Sequence, residues 1–133
     1  MFDTLAFVTG AVAFLIAFGV AGAFTLGFTA LYRFITPHDE GRLIREGNTA
    51  AAIALGGAVL GYVIPLASAL TQTHSLVEFA VWAALAGVIQ IVVFWAVRRL
   101  ALPDVSARIA AGEMSSAVFL LLTSVTVGIL NAA

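Results

Sequence analysis

The sequence predicts an all-α integral membrane protein of four transmembrane helices, arranged as two tandem (parallel-repeat) helix hairpins with both termini outside. Three observations carry that prediction. Hydrophobic residues make up 62% of the 133 and charged residues 10%, against roughly 45–50% and about 25% in soluble domains. A chain this short has too little interior to hide so much apolar surface. Next, residues 4–32, 47–77, 79–97 and 114–133 form four uncharged runs. Each supplies about the 20 residues a helix needs to cross a ~30 Å hydrocarbon core, and none is long enough for two crossings. Finally, the six arginines fall only within 33–46 and 98–113, and there is no lysine. Short Arg-rich loops stay cytoplasmic, so both loops are expected on the inner side of the membrane.

The first run would be roughly 43 Å long as a straight helix, so it must tilt or project. Asp3 replaces a basic region, and the run far exceeds a signal peptide's apolar stretch, so it is expected to stay in the mature protein. Gly19, Ala23 and Gly27 recur at spacing four, which suits helix packing. The following loop reads as a helix start, with Thr36 as N-cap, Pro37 first, then Asp39 and Glu40 at the positive dipole end. His38-Asp39-Glu40 would be solvated there. Neither this set nor His74/Glu78 offers a third ligand, so no metal is expected. Leu43 and Ile44 should dip into lipid beside Arg42 and Arg45 near phosphates. Gly47 then turns the chain back into the membrane.

The second run is expected to stop near Ala69 or Leu70, before the polar 71–75 turn. It holds Gly57 and Gly61 as a GxxxG pair, suited either to packing within the subunit or to an oligomer contact. Pro65 should kink it and free the Gly61 carbonyl. In the third run Trp82 and Trp95 lie near opposite interfaces. Gln90 lies near its middle and needs a polar partner, on another helix or along a solute path. The second inside loop, with Leu102-Pro103-Asp104, is a weaker helix start. There Val105 and Ile109 should meet lipid, Arg108 phosphates, and Gly112 the upward turn.

Shifting the sequence by 65 positions places Arg33 on Arg98, Asp39 on Asp104, Ile44 on Ile109 and Gly47 on Gly112. Residues 1–133 therefore read as one domain, with repeat one at about 1–70 and repeat two at about 71–133. Asn48 and Glu113 become equivalent, either as helix caps or as a polar gate across a pseudo-twofold axis. Glu46 enriches the first cluster and has Arg42 and Arg45 available as ion-pair partners.

The stretch Glu46-Gly47-Asn48-x-Ala-x-Ala-Ile53, before a Gly-rich helix, resembles the motif of the domain of unknown function 350. The likeness covers nearly the whole chain. It implies a small bacterial inner-membrane protein of duplicated two-helix units. Because some members are encoded beside phage-shock-protein-A-like membrane-remodelling proteins, it also implies a link to envelope stress. The second half departs from the motif, with Ala111-Gly112-Glu113 where Gly-Asn is expected.

Cysteine is absent and the net charge is −1, which removes thiolate chemistry and a nucleic-acid footprint. No catalytic triad, HExxH, P-loop or GxGxxG occurs, so neither an enzyme nor a cofactor is expected. Two classes fit. One is an ion or small-solute channel or transporter whose path passes Gln90, Asn48, Glu113 and Glu46. The alternative is a non-conducting scaffold in which Arg33, Arg42, Arg45, Arg98, Arg99 and Arg108 recruit anionic headgroups or a cytoplasmic membrane-stress partner. Polar residues inside a duplicated unit tilt the sequence reading toward transport. A homo-oligomer is expected in either case, because four helices leave small-residue faces uncovered.

Overall fold

Asp3 opens the first helix by accepting the N–H groups of Leu5 and Ala6, and α1 then runs over Thr4–Ile35. The structure, a computed structural model, describes residues 3–36, 38–101 and 103–133. After α1 come a short α2 (Glu40–Arg45), then α3 (Thr49–Gln72) and α4 (Leu76–Ala96). A π-helical segment (Val97–Ala101), a short α5 (Val105–Ala110) and α6 (Met114–Ala132) complete the order, and the described residues contain no strand. By length and composition α1, α3, α4 with its π segment, and α6 can each cross a membrane.

Several boundaries differ from the sequence reading, for local reasons. α3 continues past Leu70 because the polar turn feeds it. Thr71 Oγ1 donates to the Ser68 carbonyl, Gln72 Nε2 to Ser68 Oγ, and Thr73 Oγ1 to the Ala69 carbonyl. Residues poor in helix propensity thus satisfy the carbonyls that a helix end leaves open. The N-cap of α2 is Asp39, whose Oδ1 accepts the Arg42 N–H at 3.1 Å. Thr36 instead ends α1, its N–H donating to the Tyr32 carbonyl. The positions read as Pro37 and Leu102 lie outside the described residues.

α3 and α6 make the most extensive contact, and α4 packs against both. The reason is glycine. A Cβ on Gly57 would sit 2.7 Å from the Leu121 Cα, and one on Gly61 would overlap the Ser124 carbonyl. A Cβ on Gly128 would overlap the Gly61 carbonyl in turn. The GxxxG face therefore packs within the subunit. Gly19 and Gly27 take no part in packing within the subunit, because a Cβ on either would meet nothing within 4 Å. α1 is held instead by aromatic rings. Phe28 stacks on Tyr62 at 4.3 Å, while Tyr32 meets Phe94 and Phe24 meets Phe79 edge-on. Its most apolar window is not buried at all.

The two short helices also sit differently from expectation. Leu43, Val105 and Ile109 pack into the core, at 7%, 0% and 0% exposure, and only Ile44 faces outward. Each helix ends in the same turn. Gly47 and Gly112 adopt φ of 86° and 84°, the left-handed region that glycine enters freely. The Asn48 N–H reaches back to the Leu43 carbonyl, and the Glu113 N–H to the Arg108 carbonyl. These are Schellman closures, which satisfy the last carbonyls and reverse the chain.

Candidate functional site

Polar side chains gather at two levels: a single amide inside the bundle, and a set of groups at its arginine-bearing end. Gln90 is 2% exposed. Its Nε2 donates both protons, to the Gly61 carbonyl at 3.0 Å and the Ser124 carbonyl at 3.1 Å. The first acceptor is available because Pro65, four residues on, has no N–H for it. Gln90 thus ties α4 to the α3–α6 crossing, worth about 0.6–2 kcal/mol. Its Oε1 is buried without a partner.

At the arginine-bearing end, Asn48 bonds to two helices. Its Oδ1 accepts the Ala51 N–H and caps α3, while Nδ2 donates to the Ile109 and Ala110 carbonyls at the end of α5. Glu113 caps nothing with its side chain. Its Oε1 instead accepts from Arg108 Nη1, Ser115 Oγ and Ser116 Oγ, at 2.9–3.0 Å. Ser115 first, then Ser116 and Arg108, hold this carboxyl below its ordinary range. No hydrogen bond joins Asn48 to Glu113 among the described residues, and Glu46 forms no ion pair with Arg42 or Arg45 there.

The richest cluster is one that the sequence reading placed in solvent. Glu40 is 1% exposed and Thr36 6%, and the His38 side chain is 5% exposed. Thr36 Oγ1 donates to Glu40 Oε1, and His38 Nε2 lies 3.4 Å from the same oxygen. Tyr32, 3% exposed, stands beside them. Tyr32 Oη, His38 Nδ1 and Glu40 Oε2 are all buried without a partner. Burial lowers the His38 pKa, with the Glu40 charge opposing it in part. A cavity of ≈ 460 Å³ opens beside the cluster, lined by Ala30, Arg33, Phe34, Thr36, His38, Asp39 and Glu40.

The family described as Domain of Unknown Function (DUF350) matches residues 6–133. The chain belongs to this family. It is also similar to the protein named UPF0719 inner membrane protein YjfL of Escherichia coli K12, 40% identical over 121 residues and covering 91% of each chain. The counterpart in Escherichia coli O157:H7 matches equally. No solved structure gives a match. An inner-membrane relative and four apolar helices agree: this member of the family is a membrane protein.

The residues that carried the family resemblance have plain structural roles here. Gly47 makes the turn, and Asn48 fastens two helices. The arginines divide. Arg108 bonds Asp104 at 2.8 Å and Glu113 at 3.0 Å, and Arg99 lies over the Trp95 ring at 5.1 Å. Arg33 rests its guanidinium against Gly41. Arg42, Arg45 and Arg98 are exposed and make no ion pair among the described residues. Sequence reasoning missed Glu40 because acids at a helix start are ordinarily solvated. One signal was present: the position 65 residues later is Val105, and an apolar counterpart points to burial.

Proposed function

We propose that the protein is a non-conducting assembly unit of the inner membrane, a duplicated two-hairpin subunit that associates with copies of itself. Gln90 carries this reading. The one amide at mid-membrane donates both its protons to backbone carbonyls at a crossing where glycines bring two helices into contact. That uses the group a polar path would need. Asn48 and Glu113 are likewise engaged in bonds of their own, which favours the scaffold over transport.

Duplication is supported by α2 and α5, and α3 and α6, beginning 65 residues apart, and by matching φ at Gly47 and Gly112. Self-association is supported by α1, which exposes Phe14, Leu15 and Phe18. In this reading the arginine-bearing end is cytoplasmic, with both termini outside. Arg42, Arg45 and Arg98 then face anionic headgroups, or a cytoplasmic partner, at about 1 kcal/mol per arginine. No catalytic role is assigned.

The test is flux. Full-length protein in liposomes is expected to pass neither protons, potassium nor chloride. Flux that Glu113→Gln alters in rate or selectivity would overturn the scaffold in favour of transport. A second arm uses the Trp82→Phe protein, in which Trp95 reports alone. Brominated phosphatidylglycerol should quench Trp95 better than brominated phosphatidylcholine, and replacing Arg42, Arg45 and Arg98 by Gln should erase that preference. Equal quenching before replacement would sink the lipid contact.

A further inference from the structure

Glu40 and Val105 occupy corresponding places. Each is the first residue of a six-residue helix with an Asp at its N-cap and a positive-φ glycine after it. Both are buried, at 1% and 0% exposure. The correspondence extends to their neighbours. Tyr32, Thr36 and His38 stand where Val97, Ala101 and Pro103 stand in the second half, and Tyr32 and Val97 are both buried. The first half thus encloses a carboxyl, an imidazole, a phenol and a hydroxyl where the second encloses Val97 and Val105 and leaves Ala101 and Pro103 exposed. Packing alone does not call for an acid here. Removing a carboxylate from water costs several kcal/mol unless it is paired and fully hydrogen-bonded, and Glu40 Oε2 has no partner.

We propose that Glu40 and His38 form a proton-binding site, holding one exchangeable proton between Glu40 Oε1 and His38 Nε2. Uptake adds a proton from water to a carboxylate and a neutral imidazole 3.4 Å apart, and release returns it to water. Thr36 positions the carboxyl through its hydroxyl. The exchange route is the cavity bounded by Ala30, Phe34 and Asp39. The charged groups around the pair are Arg33 on α1, Asp39 at the N-cap and Arg42 on α2. α5 contributes the uncharged Ser106 across a neighbouring cavity. Burial keeps a second proton out. The inference does not depend on the scaffold reading, since a conducting assembly would hold the same pair.

The experiment uses full-length protein in lipid nanodiscs. The chain has two histidines, so His74→Gln leaves His38 as the sole imidazole signal in magnetic resonance. His38 is expected to titrate below the ordinary imidazole value of 6.5, and Glu40→Gln should lower its midpoint by a further half pH unit or more, about 3-fold in proton affinity. Infrared difference spectra should show a carboxyl band moving with the same midpoint and missing from Glu40→Gln. A His38 midpoint at the ordinary 6.5, indifferent to Glu40→Gln, would overturn the proposal. So would the absence of the carboxyl band. Glu40→Val, which copies Val105, is expected to insert and melt as the parent does. Failure of that variant to fold would mean that the acid serves packing, and would also overturn the inference.

Discussion

The two loops at the arginine-bearing end share a frame and differ in where they keep their charge. In the first, Asp39 caps its helix through the Arg42 N–H, and the charged partner that follows, Glu40, is enclosed. In the second, Asp104 makes no cap bond and turns to the Arg108 side chain, which also holds Glu113, all of it in reach of solvent. Identical turns therefore carry opposite electrostatics. Backbone geometry constrains the glycines and the helix lengths. It leaves open which side chain fills the corner, so one half has been free to place chemistry where the other has only packing.

Both loops stand on the same floor, the α3–α6 crossing, and breaking it should have the largest effect. Gly61→Leu forces a side chain into the Ser124 carbonyl and displaces the Gln90 amide. Overpacking and the lost bonds together should cost about 3 kcal/mol or more. The variant is expected to lose cooperative thermal unfolding in detergent. An unchanged melting curve would mean that the two helices separate without penalty, and that the loops do not share a base.

Replacing the residue after each turn glycine should separate the halves. Asn48→Ala removes the α3 cap and two bonds to the end of α5, and is expected to cost about 2–3 kcal/mol. Glu113→Ala removes bonds to Arg108, Ser115 and Ser116, of which only the Ser116 hydroxyl is buried, and should lower the thermal midpoint less than Asn48→Ala does. Equal effects would show that the asymmetry seen in the hydrogen bonds carries no energy. The glycines themselves should behave alike. Gly47→Ala and Gly112→Ala each place a Cβ in the left-handed region, at about 1–2 kcal/mol. A difference of more than about 1 kcal/mol between them would break the equivalence of the turns.

Much of this was legible in the sequence because apolar length and glycine spacing act locally. The four spans, the Gly57/Gly61 pair and the Gly61 carbonyl freed by Pro65 followed from such rules. What the rules missed depended on tertiary enclosure. His38 and Glu40 read as a solvated helix start because nothing nearby in sequence shows that Tyr32 and Thr36 will cover them. Leu43, Val105 and Ile109 read as lipid-facing because an amphipathic stretch looks the same whether bilayer or protein lies beneath it. Spacing alone likewise does not reveal that nothing within the subunit lies against Gly19 and Gly27.

Acid titration gives the finest comparison between the loops. Burial holds the His38 imidazole below its ordinary 6.5, against the pull of Glu40. Just below that pH the unfolded chain therefore binds more protons than the folded one. Stability from this group is full above 6.5 and declines as pH falls toward the folded value. Asp104, held by Arg108, and Glu113, held first by Ser115, lie below their ordinary 3.8 and 4.5. Their contribution is full above those values and is lost only at lower pH. The thermal midpoint should thus fall in two steps, the first beginning near pH 6.5 and removed by His38→Gln. The second begins below about 4.5, is reduced by Arg108→Gln, and shrinks in high salt because the groups are exposed. A single step near pH 4, indifferent to His38→Gln, would mean that the first loop is as solvated as the second.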